Sequence, residues 1–183
     1  MSREVAVDDV VARVRVLADG APRPVFVGID GLGGAGKSTL AQRLADKIGC
    51  VRVVHVDDFA RPGVPGWEQA RFEREVAQPL RSGREGRYQR WDWDSDTGAE
   101  WHTVPVDSVV VVEGVSSTRA EVAVPWSLTV WVDTPPDVRL ARGVERDGEA
   151  LRAQWEQVWM PEEDAYIDAQ SPHLRADLLV RGF

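Results

Sequence analysis

The stretch RPVFVGIDGLGGAGKSTLAQRLADKIG (residues 23–49) decides the fold. Residues 23–30 form an unbroken apolar run, the pattern of a strand buried on both faces in a parallel sheet. GLGGAGKS (31–38) follows and fits G-x-x-x-x-G-K-[ST]. KSTLAQRLADKIG then spaces Leu40, Leu44 and Ile48 on one helical stripe, with Gly49 as a stop. Strand, glycine turn and helix in that order are the context a phosphate-binding loop requires. Glycines let backbone N–H groups converge on phosphate oxygens, and the new helix adds its unpaired N–H groups and the positive end of its dipole. Gly31, Gly33, Gly34, Ala35 and Gly36 form this cradle, with Lys37 as a point charge for the β- and γ-phosphates. Ser38 is placed to ligate Mg²⁺ and Thr39 to touch an inner phosphate. Binding of a nucleoside triphosphate, read as ATP with Mg²⁺, is the first functional expectation.

The rest of the chain extends the pattern. A helix is expected over Val7–Leu17 with Gly20 as its stop. Further strands are expected at 51–56 (VRVVHV), 109–115 (VVVVEGV), 127–133 (SLTVWVD) and 176–182 (ADLLVRG). Helices are expected at 68–80, at 137–147 behind Pro135 and Pro136, at 150–159, and again from Pro161. Alternating strands and helices imply an α/β fold of the P-loop NTPase type: about five mainly parallel strands flanked by helices. The 183 residues, 43% hydrophobic, suit one domain, 1–183. YQRWDWDSD (88–96) and AEWHTV (99–104) read as a hairpin joined by a turn at Thr97–Gly98. That hairpin, 88–104, is expected to be either a structural insertion or a flap over the site.

Charge and composition narrow the partners. The formal net charge is −8, which argues against nucleic acid or an anionic membrane as the main partner. Cys50 is the only cysteine, so neither an intrachain disulfide nor a multi-cysteine metal site can form. No apolar run approaches membrane-spanning length, and MSREVAVDD lacks a signal-peptide core, so a cytoplasmic location is expected. A small-molecule acceptor and ATP are the expected partners, and self-association into a homo-oligomer is left open.

Other residues say what the nucleotide is for. No N-K-x-D guanine motif follows a later strand; the fourth strand runs into VDTPPD. HVDDF (55–59) ends the second strand, where ligands of open α/β sheets bind. Asp57 or Asp58 can there accept a proton from an attacking hydroxyl or hold the acceptor. Glu113 ends the third strand and is placed to help hold Mg²⁺. Arg139, Arg142 and Arg146 share a helical face within 137–147, an arginine-bearing lid over the triphosphate. Trp155 and Trp159, four apart, are read as core packing that can also border the adenine site. Glu162 and Glu163 suit the first turn of a helix and receive no chemistry.

Assembled, the chain resembles the uridine kinase and phosphoribulokinase family of P-loop kinases. The likeness rests on GIDGLGGAGKSTLA, VVHVDDF, PLRSG, YQRWDWD, VVVVEGV, WVDTPPDVRLARGVERDG and ADLLV, and spans about Val25 to Gly182. It implies that Asp57 is the base at the acceptor hydroxyl. It also implies that Trp91, Asp92 and Trp93 line a nucleoside pocket with His102 beside them, that Glu113 assists Mg²⁺, and that Arg139 and Arg142 are lid arginines. The implied activity is transfer of the ATP γ-phosphoryl group to a hydroxyl of a nucleoside or nucleoside-like molecule. Tryptophans flank Asp92 where uridine-using members carry tyrosine and phenylalanine, and Ala60 stands where they have tyrosine. These departures fall on the acceptor. They admit an antibiotic or natural product, a vitamin or a sugar phosphate, and leave a non-catalytic ATP-binding regulator as the rival reading.

Overall fold

A computed structural model describes residues 3–64, 66–92 and 95–182. Six parallel strands form one sheet: β1 (Arg3–Val5), β2 (Val25–Asp30), β3 (Val51–His55), β6 (Val109–Glu113), β7 (Leu128–Asp133) and β8 (Leu178–Arg181). Their order is β1-β8-β7-β2-β6-β3, and every neighbouring pair is parallel. The count is six where about five were expected. The extra one, β1, is a three-residue edge strand beginning Arg-Glu, too short and too charged to show an apolar run.

Alternation along the buried strands sorts the core into two layers. Val25, Val27, Ile29, Val109, Val111, Val130 and Val132 face α1 (Val7–Gly20) and α2 (Lys37–Lys47), whose Val10, Val14, Leu40 and Leu44 are fully buried. Phe26, Val54, Val110 and Val112 face the other way, onto Phe59, Phe72, Val76, Leu80 and Tyr88. Phe59 stacks at a tilt on Tyr88 and meets Phe72 edge-on, with centroids 4.7 and 5.5 Å apart.

Two helices, one within a residue of its expected 68–80 and one longer than expected, each carry a π-helical turn ahead of a proline. α3 (69–81) runs from Gln69–Phe72 through a π-helical turn, Glu73–Ala77, into Gln78–Arg81. The expected break at Pro161 is absent: Arg152–Gln154, the π-helical turn Trp155–Trp159 and Met160–Gln170 form one continuous helix, α5 (152–170). In each, a proline (Pro79, Pro161) sits two residues beyond the π turn. Proline cannot donate to the carbonyl four residues back, and a wider turn just before it absorbs the lost bond without ending the helix. The arginine-bearing helix, α4, spans Pro136–Asp147, and a short helix, α6 (Pro172–Arg175), precedes β8.

The hairpin exists, with a shifted turn. β4 (Gly86–Asp92) pairs antiparallel with β5 (Thr97–Val104), so Thr97 and Gly98 lie inside a strand, opposite Asp92 and Trp91. The register slips between Gln89 and Trp91, where Arg90 turns out to Glu100 at 2.9 Å. Trp93, expected in the acceptor pocket, lies outside the described residues. No helix among the described residues is long and apolar enough to cross a membrane.

Candidate active site

The carboxyl ends of β2, β3 and β6 open onto a cleft of about 1000 Å³. Its lining joins Gly33, Gly34, Gly36, Lys37, Ser38 and Thr39 to Asp57, Glu113, Arg142, Arg146, Trp155, Trp159 and Glu163. The phosphate loop keeps its shape by left-handed glycines, Gly34 (φ 74°) and Gly36 (φ 102°). A side chain at Gly34 would also strike the Arg139 backbone, 2.6 Å away. Thr134 Oγ1 donates to the Ala35 carbonyl at 3.0 Å, fixing the loop from β7's end. Gly31 donates to Asp30 at 2.7 Å.

Lys37 is buried and rests its Nζ on the Leu32 carbonyl at 2.9 Å. Burial lowers its pKa, opposed by the charges of Glu113, Asp30, Glu163 and Asp57. That ring of carboxylates keeps a cation in a desolvated place, which is what a phosphate site needs. Ser38 Oγ donates to Glu113 Oε1 at 3.0 Å, and His55 Nδ1 meets the same oxygen at 2.5 Å. Burial pushes Glu113 up, but the His55 hydrogen bond and the Lys37 charge outweigh it and hold it below the ordinary value. Its hydrogen bond to Glu113 raises His55 against the effect of burial. A hydroxyl beside an ionised carboxylate is a hard oxygen pair of the kind Mg²⁺ takes beside nucleotide phosphates. Ser38 and Glu113 therefore fit that ion. Among the described residues there is no cluster of three or more His, Cys, Asp or Glu able to form an all-protein metal cage.

The adjacent aspartates part company, because Val56–Phe59 is a 3-10 turn. Asp57 keeps an exposed edge in the cleft. Desolvation by the surrounding protein, then the Glu113 charge, raise its pKa against Lys37 and His55. Asp58 is buried and accepts from the Tyr88 hydroxyl at 3.1 Å. Burial raises its pKa too, against that hydrogen bond.

The three arginines of α4 also divide. Arg142 and Arg146 line the cleft, Arg142 donating to the Gly34 carbonyl at 3.3 Å and Arg146 to Asp147 at 2.6 Å. Arg139 points inward, 2% exposed, with Nη1 on Glu163 at 2.8 Å. It sits in the first turns of α4, which α5 covers.

The hairpin residues lie elsewhere. Among the described residues that line the cleft, none belongs to β4 or β5. Trp91 is half-buried with an unpartnered Nε1, Asp92 accepts from Ser95, and His102 stacks on Tyr88 with centroids 5.2 Å apart. The structure thus does not bring Trp91, Asp92 or His102 to the phosphate loop; among the described residues, Tyr88 ties the hairpin to the end of β3 through its hydrogen bond to Asp58.

In their place, α5 supplies an aromatic and acidic wall: Trp155 and Trp159, read from the sequence as core packing that can also border the adenine site, and Glu163, which received no chemistry, all line the cleft. Trp155 and Trp159 meet edge-on at 5.2 Å, and Trp155 Nε1 donates to Asp147 at 3.0 Å. Gly143 admits this contact: a Cβ there would lie 2.4 Å from the Trp155 ring. Glu163 accepts from the Gly33 amide at 2.7 Å. Burial raises its pKa against the Gly33 and Arg139 contacts. Asp30, also unmarked in the sequence, accepts from the amides of Ser116 and Thr118 and the hydroxyls of Thr118 and Tyr166, all within 3.0 Å.

No family model matches the sequence, and no curated protein does. Solved structures do match. A "possible uridine kinase" from Bacillus stearothermophilus is 23% identical, covering 95% of this chain and 96% of its own, with a TM-score of 0.72. A candidate fructose transport system kinase from Silicibacter sp. TM1040 is 21% identical, covering 96% and 98%, with a TM-score of 0.76. The chain therefore shares, along nearly its whole length, the fold of these two structures.

Proposed function

We propose that the protein is an ATP-dependent small-molecule kinase that transfers the γ-phosphoryl group to an alcohol. One observation carries this reading: a phosphate loop with a buried lysine, a serine–glutamate oxygen pair and an accessible, proton-avid aspartate share one cleft. The P-loop fold of the two kinase-like structures supports it.

The triphosphate lies along the amides of Gly33–Thr39, with Lys37 at its β- and γ-phosphates. Ser38 and Glu113 would hold Mg²⁺, which would supply charge neutralisation at the phosphates. Asp57 hydrogen-bonds the acceptor hydroxyl and takes its proton as the new O–P bond forms; the bond from the γ-phosphorus to the bridging oxygen breaks, and ADP keeps that electron pair. Arg142 and Arg146 stabilise the moving negative charge from the lid side. Closing α4 over the cleft excludes water, which would otherwise accept the phosphoryl group.

The acceptor is a hydroxylated small molecule. A nucleoside is favoured by the resemblance and by the "possible uridine kinase" with this fold; a sugar is the alternative, in line with the fructose transport system description. The test is ATP consumption against a panel of nucleosides, sugars and vitamins, with mass analysis of the products. A phosphorylated acceptor from one class supports the proposal. ATP binding with no acceptor phosphorylated would favour a non-catalytic regulator instead.

A further inference from the structure

The edge of the phosphate loop is occupied by the protein's own anion. Glu163 spans two partners: one carboxylate oxygen accepts from the Gly33 amide at 2.7 Å, the other from Arg139 at 2.8 Å. A carboxylate on a phosphate-loop amide takes the position that the loop offers to a phosphate oxygen. Its charge also acts on Lys37, the cation that serves the β- and γ-phosphates. Arg139 is 2% exposed, and its Nε has no partner among the described residues, so it retains donor capacity for an anion. Tyr166, one turn along the same face of α5, donates to Asp30 at 2.8 Å and holds the helix against the loop. Trp155 completes the contact: a Cβ at Gly33 would meet its ring at 2.8 Å and Glu163 Oε1 at 2.7 Å.

We propose that Glu163 is an internal competitor for the terminal phosphate of the nucleotide, capping the loop at Gly33 and sequestering Arg139 until a triphosphate displaces it. This rests on the reading of the cleft as an ATP site. Displacement would do two things at once. It frees the Gly33 amide, and it releases Arg139 from its carboxylate to face the phosphates beside Arg142. A diphosphate, one phosphate shorter, leaves Glu163 closer to its resting place. The latch thus sets discrimination between triphosphate and diphosphate and favours release of the product nucleotide.

The test is calorimetric titration of the full chain with MgATP and with ADP, comparing wild type with Glu163→Gln. Removing the charge is expected to tighten MgATP by about fivefold or more, within the range of ordinary coupling between sites, and to tighten ADP less. Unchanged or weaker MgATP binding would overturn the latch and mark Glu163 as a support for Arg139. Equal tightening of both nucleotides would overturn its assignment to the terminal phosphate. No nucleotide binding by either protein would overturn the ATP-site reading and the latch with it. Should Glu163→Gln fail to fold, Tyr166→Phe loosens the same helix from outside the loop: tighter MgATP supports the latch, and unchanged or weaker binding overturns it.

Discussion

The Tyr88 hydroxyl donates to Asp58 at 3.1 Å, and this single bond separates two neighbouring carboxylates that the sequence presents as equals. Asp58 is spent on holding the hairpin to the end of β3, while Asp57 faces the phosphate loop across the cleft.

Asp57→Asn is accordingly expected to keep ATP affinity and to lose transfer by about 10²–10⁴-fold, the usual worth of a positioned general base. Asp58→Asn keeps an acceptor for Tyr88 and is expected to stay near the wild-type rate. Calorimetry for binding and steady-state assay for kcat distinguish the two.

The raised pKa of Asp57 fixes the direction of two pH effects. As a base it works only when ionised, so kcat/KM rises with pH through a limb above the ordinary aspartate value of 3.8. The native state also holds this proton to higher pH than the unfolded chain does. Stability therefore falls as pH rises between the ordinary and the raised value, and the loss persists at neutral pH. Asp57→Asn is expected to raise Tm at neutral pH, measured by thermal melts alongside a pH–rate profile.

Asp30 accepts five hydrogen bonds: from the amides of Gly31, Ser116 and Thr118 and from the hydroxyls of Thr118 and Tyr166. Asp30→Ala leaves these donors without their acceptor at the root of the phosphate loop. The expected cost is at least about 3 kcal/mol, since each buried donor left unsatisfied carries its own desolvation penalty. Urea unfolding measures it.

At Gly143 the lid helix and α5 touch without room for a methyl group: an added Cβ would lie 2.4 Å from the rigid Trp155 ring. Gly143→Ala is expected to cost about 1–3 kcal/mol through overpacking and to weaken ATP binding by pressing Trp155 toward Gly33. Tryptophan fluorescence and nucleotide titration report the two effects.

The parts of the site that were legible in the sequence are those that local pattern determines. The phosphate loop declares itself through glycines between a strand and a helix. Asp57 and Glu113 declare themselves by ending apolar runs, because parallel strands deliver their carboxyl ends to one edge. His55 ends the β3 run in the same way, and the structure sets it beside Glu113 across the strands. Glu163 and Tyr166 carry no such signal: their partners, Gly33 and Asp30, are 130 and 136 residues away. The π turn at Trp155–Trp159 also breaks the helical period that would have shown which face of α5 points inward. Arg139 illustrates the converse. Its spacing from Arg142 and Arg146 placed all three on one face, but spacing does not say that α5 covers the first turns of that face. Position 90 shows the same limit in the hairpin, where the slipped register undoes simple alternation.

The most direct test of the account is transfer from γ-labelled ATP to the best acceptor of the panel, run in parallel with wild type and Asp57→Asn. The account predicts label on the acceptor's hydroxyl oxygen with wild type, and almost none with Asp57→Asn at matched nucleotide occupancy. Label released only as free phosphate, or equal transfer by the two proteins, would contradict it.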